Sequence, residues 1–172
     1  MNSTRWLILL LATSLLSGAC SRKDSGPLAA LPVQGVAPTW QLRDVNGTLV
    51  SSEQLKGKVV VVDFWATWCG PCVREIPGFI ALQQKYGKDG LVIVGLSVDD
   101  AGADAVKEFG RKNGVNYPLV MADEAVQAAF GGVQVIPTTF LIDRGGQIRD
   151  RKQGMEDAAS YEKKVLSLLE GS

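Results

Sequence analysis

Cys69 and Cys72 stand where an apolar run, Val59–Trp65, gives way to an amphipathic segment. The run is short and rich in β-branched residues, which predicts a strand buried on both faces. Beyond it, Val73, Ile76, Phe79, Ile80 and Tyr86 recur at helical spacing, which predicts a helix from Pro71 to about Tyr86. Pro71 suits the first turn of that helix, and Pro77 inside it predicts a kink because one backbone bond is lost. Both thiols therefore fall at a strand-to-helix junction. At that spacing they can close a disulfide or hold a soft metal.

What the rest of the chain lacks narrows the choice. There is no histidine among the 172 residues, which removes His-ligated metals and every catalytic dyad or triad that uses imidazole as base. A zinc site built on Cys69 and Cys72 would need two more ligands, and no other cysteine lies nearby. A purely structural disulfide across two residues constrains the unfolded chain little. Lys plus Arg and Asp plus Glu both number 18, so no overall charge draws the protein to nucleic acid. With 46% hydrophobic and 21% charged residues, the chain suits one globular domain with its own core.

The N-terminus reads as an export signal: Arg5 precedes an apolar run from Trp6 to Leu16, and Leu16-Ser17-Gly18-Ala19-Cys20 resembles the lipobox of bacterial lipoproteins. Cleavage there leaves Cys20 N-terminal and lipidated. The competing readings are ordinary signal cleavage after Ala19 and an uncleaved anchor, for which Trp6–Ala19 is short against the roughly 20 residues of a spanning helix. Residues 1–19 are thus expected as signal peptide, 20–39 as lipidated cysteine and tether, and 40–172 as the domain. Ser21–Thr39 carries three prolines and no sustained period, as a linker would.

Within the domain, Trp40–Arg43 and Thr48–Val50 flank an Asn46-Gly47 turn signal and predict a hairpin. Ser51 and Ser52 precede a single helical turn that ends at Gly57. Leu91–Val98 predicts a second buried strand, Ala103–Lys112 a helix, Tyr117–Met121 an extended segment and Glu124–Phe130 a short helix. Thr138–Ile142 and Gln147–Lys152 predict strands joined by a turn over residues 143–146, and Ala158–Leu169 a closing helix. Strands and helices alternate, with an antiparallel pair late in the chain. The adjacent Asp99 and Asp100, at a strand end, read as solvated carboxylates, and Gly131-Gly132 and Gly145-Gly146 as turns.

The start of a helix favours negative charge, because its unpaired N–H groups and macrodipole stabilise an anion by about 0.3–2 kcal/mol. Cys69 is placed to use this as a thiolate nucleophile, and Cys72, one turn in, to act as the less exposed resolving thiol. Gly70 and Pro71 permit close approach and fix the entry to the helix.

The stretch Val61–Cys72 (VVDFWATWCGPC), with Pro77 and with Val135-Ile136-Pro137-Thr138 later, resembles the thioredoxin superfamily. The hairpin, the helix near Ala103–Lys112 and the run Cys72-Val73-Arg74-Glu75-Ile76-Pro77 make it similar to the TlpA-like branch of exported, membrane-tethered members. The resemblance covers roughly Ala37 to Leu169. It implies a thioredoxin fold, an α/β architecture with an N-terminal β-hairpin, an inserted helix and a mixed central sheet flanked by helices. It also implies thiol-disulfide oxidoreductase activity without a cofactor or metal.

By the same resemblance, Ile136-Pro137 supplies a cis-proline that shapes a groove where a substrate chain adds as a strand. Trp65 and Trp68 read as framing the site and core, with Trp68 the one exposed for substrate contact. Asp63 would be a buried carboxylate that exchanges a proton with Cys72, although a solvated strand end is the competing reading. Glu75 matches the acidic residue of the TlpA-like branch, against a solvated first-turn glutamate, and which carboxylate accepts the proton stays open. The Gly70-Pro71 pair resembles reducing members. The implied partners are disulfide-containing exported proteins, such as those of cytochrome c or copper-site maturation, a membrane electron donor, and the membrane itself through Cys20, with the protein acting as a monomer. A peroxiredoxin-like peroxidase would place its Thr-x-x-Cys nucleophile at residue 70, which is Gly, and the related copper chaperones need histidine.

Overall fold

The computed structural model describes residues 31–171, so the apolar leader, Cys20 and the tether up to residue 30 lie outside the described residues. In chain order the elements are β1 (Gly35–Val36), β2 (Gln41–Arg43), β3 (Leu49–Ser51), β4 (Val59–Trp65), α1 (Gly70–Tyr86), β5 (Leu91–Ser97), α2 (Ala103–Lys112), β6 (Leu119–Met121), α3 (Glu124–Ala129), β7 (Thr138–Ile142), β8 (Gln147–Gln153) and α4 (Ala158–Glu170). β2 and β3 form the expected hairpin. Its turn closes because the Asp44 carboxylate accepts the N–H groups of Asn46 and Thr48 at 2.9 and 2.8 Å. The helical turn after it is a short 3-10 helix, Glu53–Leu55.

The main sheet runs β1-β8-β7-β4-β5-β6. β4 is parallel to β5 and antiparallel to β7, so the sheet is mixed about its central strand. Every residue of β4 is buried. Strand alternation sends Val59, Val61 and Trp65 into one core with Phe79 of α1, Val106 of α2 and Tyr161 and Val165 of α4. Val60, Val62 and Phe64 enter a second core with Phe140 and with Val126 and Phe130 at α3. Each fully buried Val or Phe contributes about 1.5–3 kcal/mol, so this short strand anchors both cores. Asp63 falls on the α1 side of β4, between Val61 and Trp65.

At Gly95 of β5 two neighbouring side chains fill the space that a Cβ would need. A Cβ on Gly95 would lie 2.8 Å from Leu119 Cδ2 and 2.9 Å from Trp65 Nε1. Glycine at this position leaves room for the indole, itself 1% exposed, and for Leu119.

The tether expected up to Thr39 ends earlier. β1 pairs Gly35 with Ile148 and Val36 with Gln147, and the Gln34 and Ala37 N–H groups donate to Ile148 and Gly146 at 2.7 and 2.9 Å. Arg149 reaches further back, donating from Nε to the Leu31 carbonyl at 2.8 Å and from Nη1 to Asp143 at 2.8 Å. Two residues are too few to carry a period, so nothing in residues 31–39 separates this edge strand from a linker.

Candidate active site

The chain leaves β4 at Trp65, turns through Ala66–Trp68 and enters α1 at Gly70, with Cys69 as N-cap. Cys69 and Cys72 form a disulfide, S–S 2.05 Å. The Cys69 sulfur also accepts the Cys72 N–H at 3.3 Å, the place a helix offers to an anion. Pro71 lies in the first turn, where a missing N–H costs nothing. Cys69 is 6% exposed and Cys72 0%, while Trp68 beside them is 64% exposed. The order of exposure expected from the sequence holds, although the oxidised pair leaves little of either sulfur open.

Strand pairing brings in the second half of the site. Phe64 lies opposite Thr138 and Asp63 opposite Thr139, so Pro137 comes alongside Trp65, where β4 ends. The Ile136–Pro137 bond is cis. The Pro137 carbonyl accepts the Gly154 N–H at 2.8 Å and the Val135 carbonyl accepts the Thr138 hydroxyl at 2.6 Å, which fixes the loop on both sides. Ile136 is half-buried against both cores, and Val135 is the exposed apolar residue of this loop.

Asp63 is 2% exposed and accepts a hydrogen bond from the Thr139 hydroxyl at 3.3 Å. Burial, reinforced by the like charge of Glu75, pushes its carboxyl up to about 8. Glu75 is buried as well, which raises its carboxyl above the ordinary value. Its Oε1 accepts the Glu156 N–H at 2.7 Å, while Oε2 is buried without a hydrogen-bond partner. Neither carboxylate is the solvated group that was the alternative. Tyr117 and Tyr161 are buried close enough to feel both carboxylates, and desolvation raises both phenols. A 220 Å³ cavity lined by Glu75, Phe79, Met155, Glu156 and Tyr161 adjoins Glu75.

The reading of Asp99 as a solvated strand end is overturned. It is 5% exposed, and its carboxylate accepts the Thr67 N–H at 2.6 Å, the Thr67 hydroxyl at 2.5 Å and the Ala101 N–H at 3.1 Å. The cause is the parallel pairing of β4 and β5, which brings both strand ends to the same edge of the sheet. Among the described residues no group of three or more acidic, Cys or His side chains is placed to hold a metal ion.

A thiol pair at a helix start thus follows a strand that carries a buried acid, and a cis-proline immediately precedes the strand paired to it. The sequence model of the AhpC/TSA family matches residues 33–151. The chain belongs to the AhpC/TSA family, within the thioredoxin superfamily. It is similar to thiol-disulfide oxidoreductase ResA of Bacillus anthracis, 34% identical over 172 residues that cover 96% of this chain and 99% of that protein. ResA of Bacillus subtilis is 41% identical over 114 residues, 65% of this chain and 62% of that one. Among solved structures, a thiol:disulfide interchange protein of the thioredoxin family from Chlorobium tepidum superposes with a TM-score of 0.74 at 33% identity, over 82% of this chain and 99% of that one. The protein is a thiol-disulfide oxidoreductase with the thioredoxin fold.

Proposed function

We propose that the enzyme reduces disulfides of exported proteins outside the cytoplasm, tethered to a membrane by lipid on Cys20. The observation that carries the chemistry is the unequal setting of the two sulfurs at the start of α1, Cys69 at the helix cap and Cys72 closed to solvent, with the buried carboxyl of Asp63 on β4, the strand that leads into them. In the reduced enzyme the Cys69 thiolate attacks a substrate disulfide, forms a mixed disulfide and expels one substrate thiolate. Cys72 gives its proton to the ionised form of Asp63 and attacks the Cys69 sulfur, releasing the second substrate thiolate and leaving the Cys69–Cys72 disulfide. Two electrons pass to the substrate, whose two thiolates take up protons. A thiol donor at the membrane then returns two electrons to the pair.

Asp63 suits the role of proton acceptor because burial raises its carboxyl to about 8, so its ionised form, populated as pH approaches that value, is basic enough to take a thiol proton. Glu75 already spends one oxygen on the Glu156 N–H, which favours its charged form, and acts on Asp63 through its charge. Trp68 and the Val135–Pro137 loop offer substrate an exposed apolar surface, with Ile136 as the packed base of the loop. The peroxidase reading has no nucleophile at residue 70, where Gly70 opens α1.

Export and tethering rest on the leader and on Cys20, and no helix among the described residues is long and apolar enough to cross a membrane. The substrate class, proteins of cytochrome c or copper-site maturation, and monomeric action rest on the sequence resemblance. Replacing Cys72 with Ser and trapping mixed disulfides in the cell envelope tests the chemistry. The expected catch is exported proteins with paired cysteines, bound through Cys69. Capture by a Cys69→Ser variant instead would reverse the nucleophile, and a reduction potential well above about −200 mV would refute the reducing direction.

A further inference from the structure

Asp99 is a buried carboxylate on which the chemistry above makes no demand. It lies two residues beyond β5, yet it holds the loop that carries the nucleophile. Between Trp65 and Cys69 the chain has few fastenings: the Trp65 carbonyl accepts the Val98 N–H at 2.9 Å, and the Ala66 carbonyl accepts the Cys69 N–H at 3.1 Å. Trp68, 64% exposed, adds little packing to hold the loop. Thr67 is held to the body of the protein by one Asp99 oxygen, which takes both its N–H at 2.6 Å and its hydroxyl at 2.5 Å. The other oxygen takes the Ala101 N–H at 3.1 Å, and the Asp99 N–H donates to the Ser97 hydroxyl at 3.2 Å, so the clamp is itself tied to the end of β5.

We propose that Asp99 is a positioning residue for the reaction: through Thr67 it holds Cys69 at the cap of α1, where the sulfur meets the Cys72 N–H. The inference rests on the reading of Cys69 as nucleophile. Thiolate character there depends on the Cys69 sulfur staying within 3.3 Å of that N–H. A rotation at Thr67 or Trp68 displaces the sulfur from the helix start and returns the thiol toward ordinary reactivity. Although burial raises the Asp99 carboxyl, the Thr67 hydroxyl and the Thr67 and Ala101 N–H groups more than offset it, so the clamp stays charged at neutral pH.

The test is alkylation of the reduced full chain by limiting iodoacetamide at pH 7, with Cys69 and Cys72 quantified separately by peptide mass. In the parent protein Cys69 is expected to react and Cys72 to be protected. Asp99→Ala is expected to slow Cys69 about tenfold, the loss of one pKa unit of thiolate, with Cys72 still protected. Asp99→Asn keeps an oxygen for the Thr67 N–H and is expected to stay within about threefold of the parent. Thr67→Val, which removes only the hydroxyl, is expected to add nothing to Asp99→Ala, because one acts through the other. Parent-like alkylation in Asp99→Ala overturns the clamp, as do losses that multiply in the double variant or equal loss in Asp99→Asn. Alkylation of Cys72 together with Cys69 in Asp99→Ala assigns Asp99 a purely structural role and also overturns it. Preferential alkylation of Cys72 in the parent overturns the nucleophile assignment instead, and this proposal with it.

Discussion

Asp63→Asn should stabilise the oxidised protein by an amount that grows with pH. The folded carboxyl is raised from its ordinary 3.8 to about 8 by burial and by Glu75. Below the unfolded value both states hold the proton and the group is neutral to stability. As pH rises past 3.8 the unfolded chain releases its proton while the folded protein keeps it, so stability falls by about 1.4 kcal/mol per pH unit until the folded group ionises near 8. At pH 7 that amounts to about 4 kcal/mol, a large share of the 5–15 kcal/mol that holds a domain together. Asparagine cannot ionise, so the variant escapes this loss. Its amide needs partners that the carboxyl did not, which adds an offset that does not change with pH. Urea unfolding from pH 5 to 9 of both oxidised proteins should therefore give a stability difference that climbs by about 1.4 kcal/mol per unit and levels off above pH 8. A difference that is flat with pH would mean that Asp63 titrates as an ordinary exposed carboxylate, and the acid-base argument would fail.

Glu75→Gln removes the like charge that helps hold Asp63 protonated, so the pH at which Asp63 ionises should fall, read by the carboxyl carbon resonance of Asp63. Gly95→Ala drives a methyl against the Trp65 indole and Leu119 and should cost about 1–3 kcal/mol in urea unfolding with the active-site thiols unchanged. Arg149→Met removes the bonds to the Leu31 carbonyl and to Asp143, and should cost about 1–2 kcal/mol. Limited proteolysis should then cut residues 31–36 well before the rest of the domain.

Much of the architecture was legible because it is written locally. The apolar run Val59–Trp65 admits one reading, a central strand, and Asp63 stands out in it as the single charged residue. The spacing of Ile76, Phe79 and Tyr86 fixed the buried side of α1. What the residues hid depends on pairing between distant segments. Gly35–Val36 becomes a strand only because β8 offers it an edge. Asp99 is buried only because β5 lies parallel to β4 and delivers it beneath Thr67. The spacing puts Glu75 on the same helix side as Cys72, but the bond its buried carboxylate accepts comes from the Glu156 N–H, near the start of α4.

The mixed order of the sheet also sets a hazard in time. β4 takes β5 on one side soon after it emerges, but its other side is satisfied by β7, whose first residue follows Trp65 by roughly 70 positions. A chain appearing N-terminus first at about 5–20 residues per second thus spends on the order of 4–15 s with Val59–Phe64 as an open edge, apolar but for Asp63 and devoid of proline. Such a segment is a template for self-association. Any slowing of elongation or translocation between Trp65 and Thr138 lengthens that exposure, and a holding chaperone that covers the Val59–Val62 run matters most in that interval.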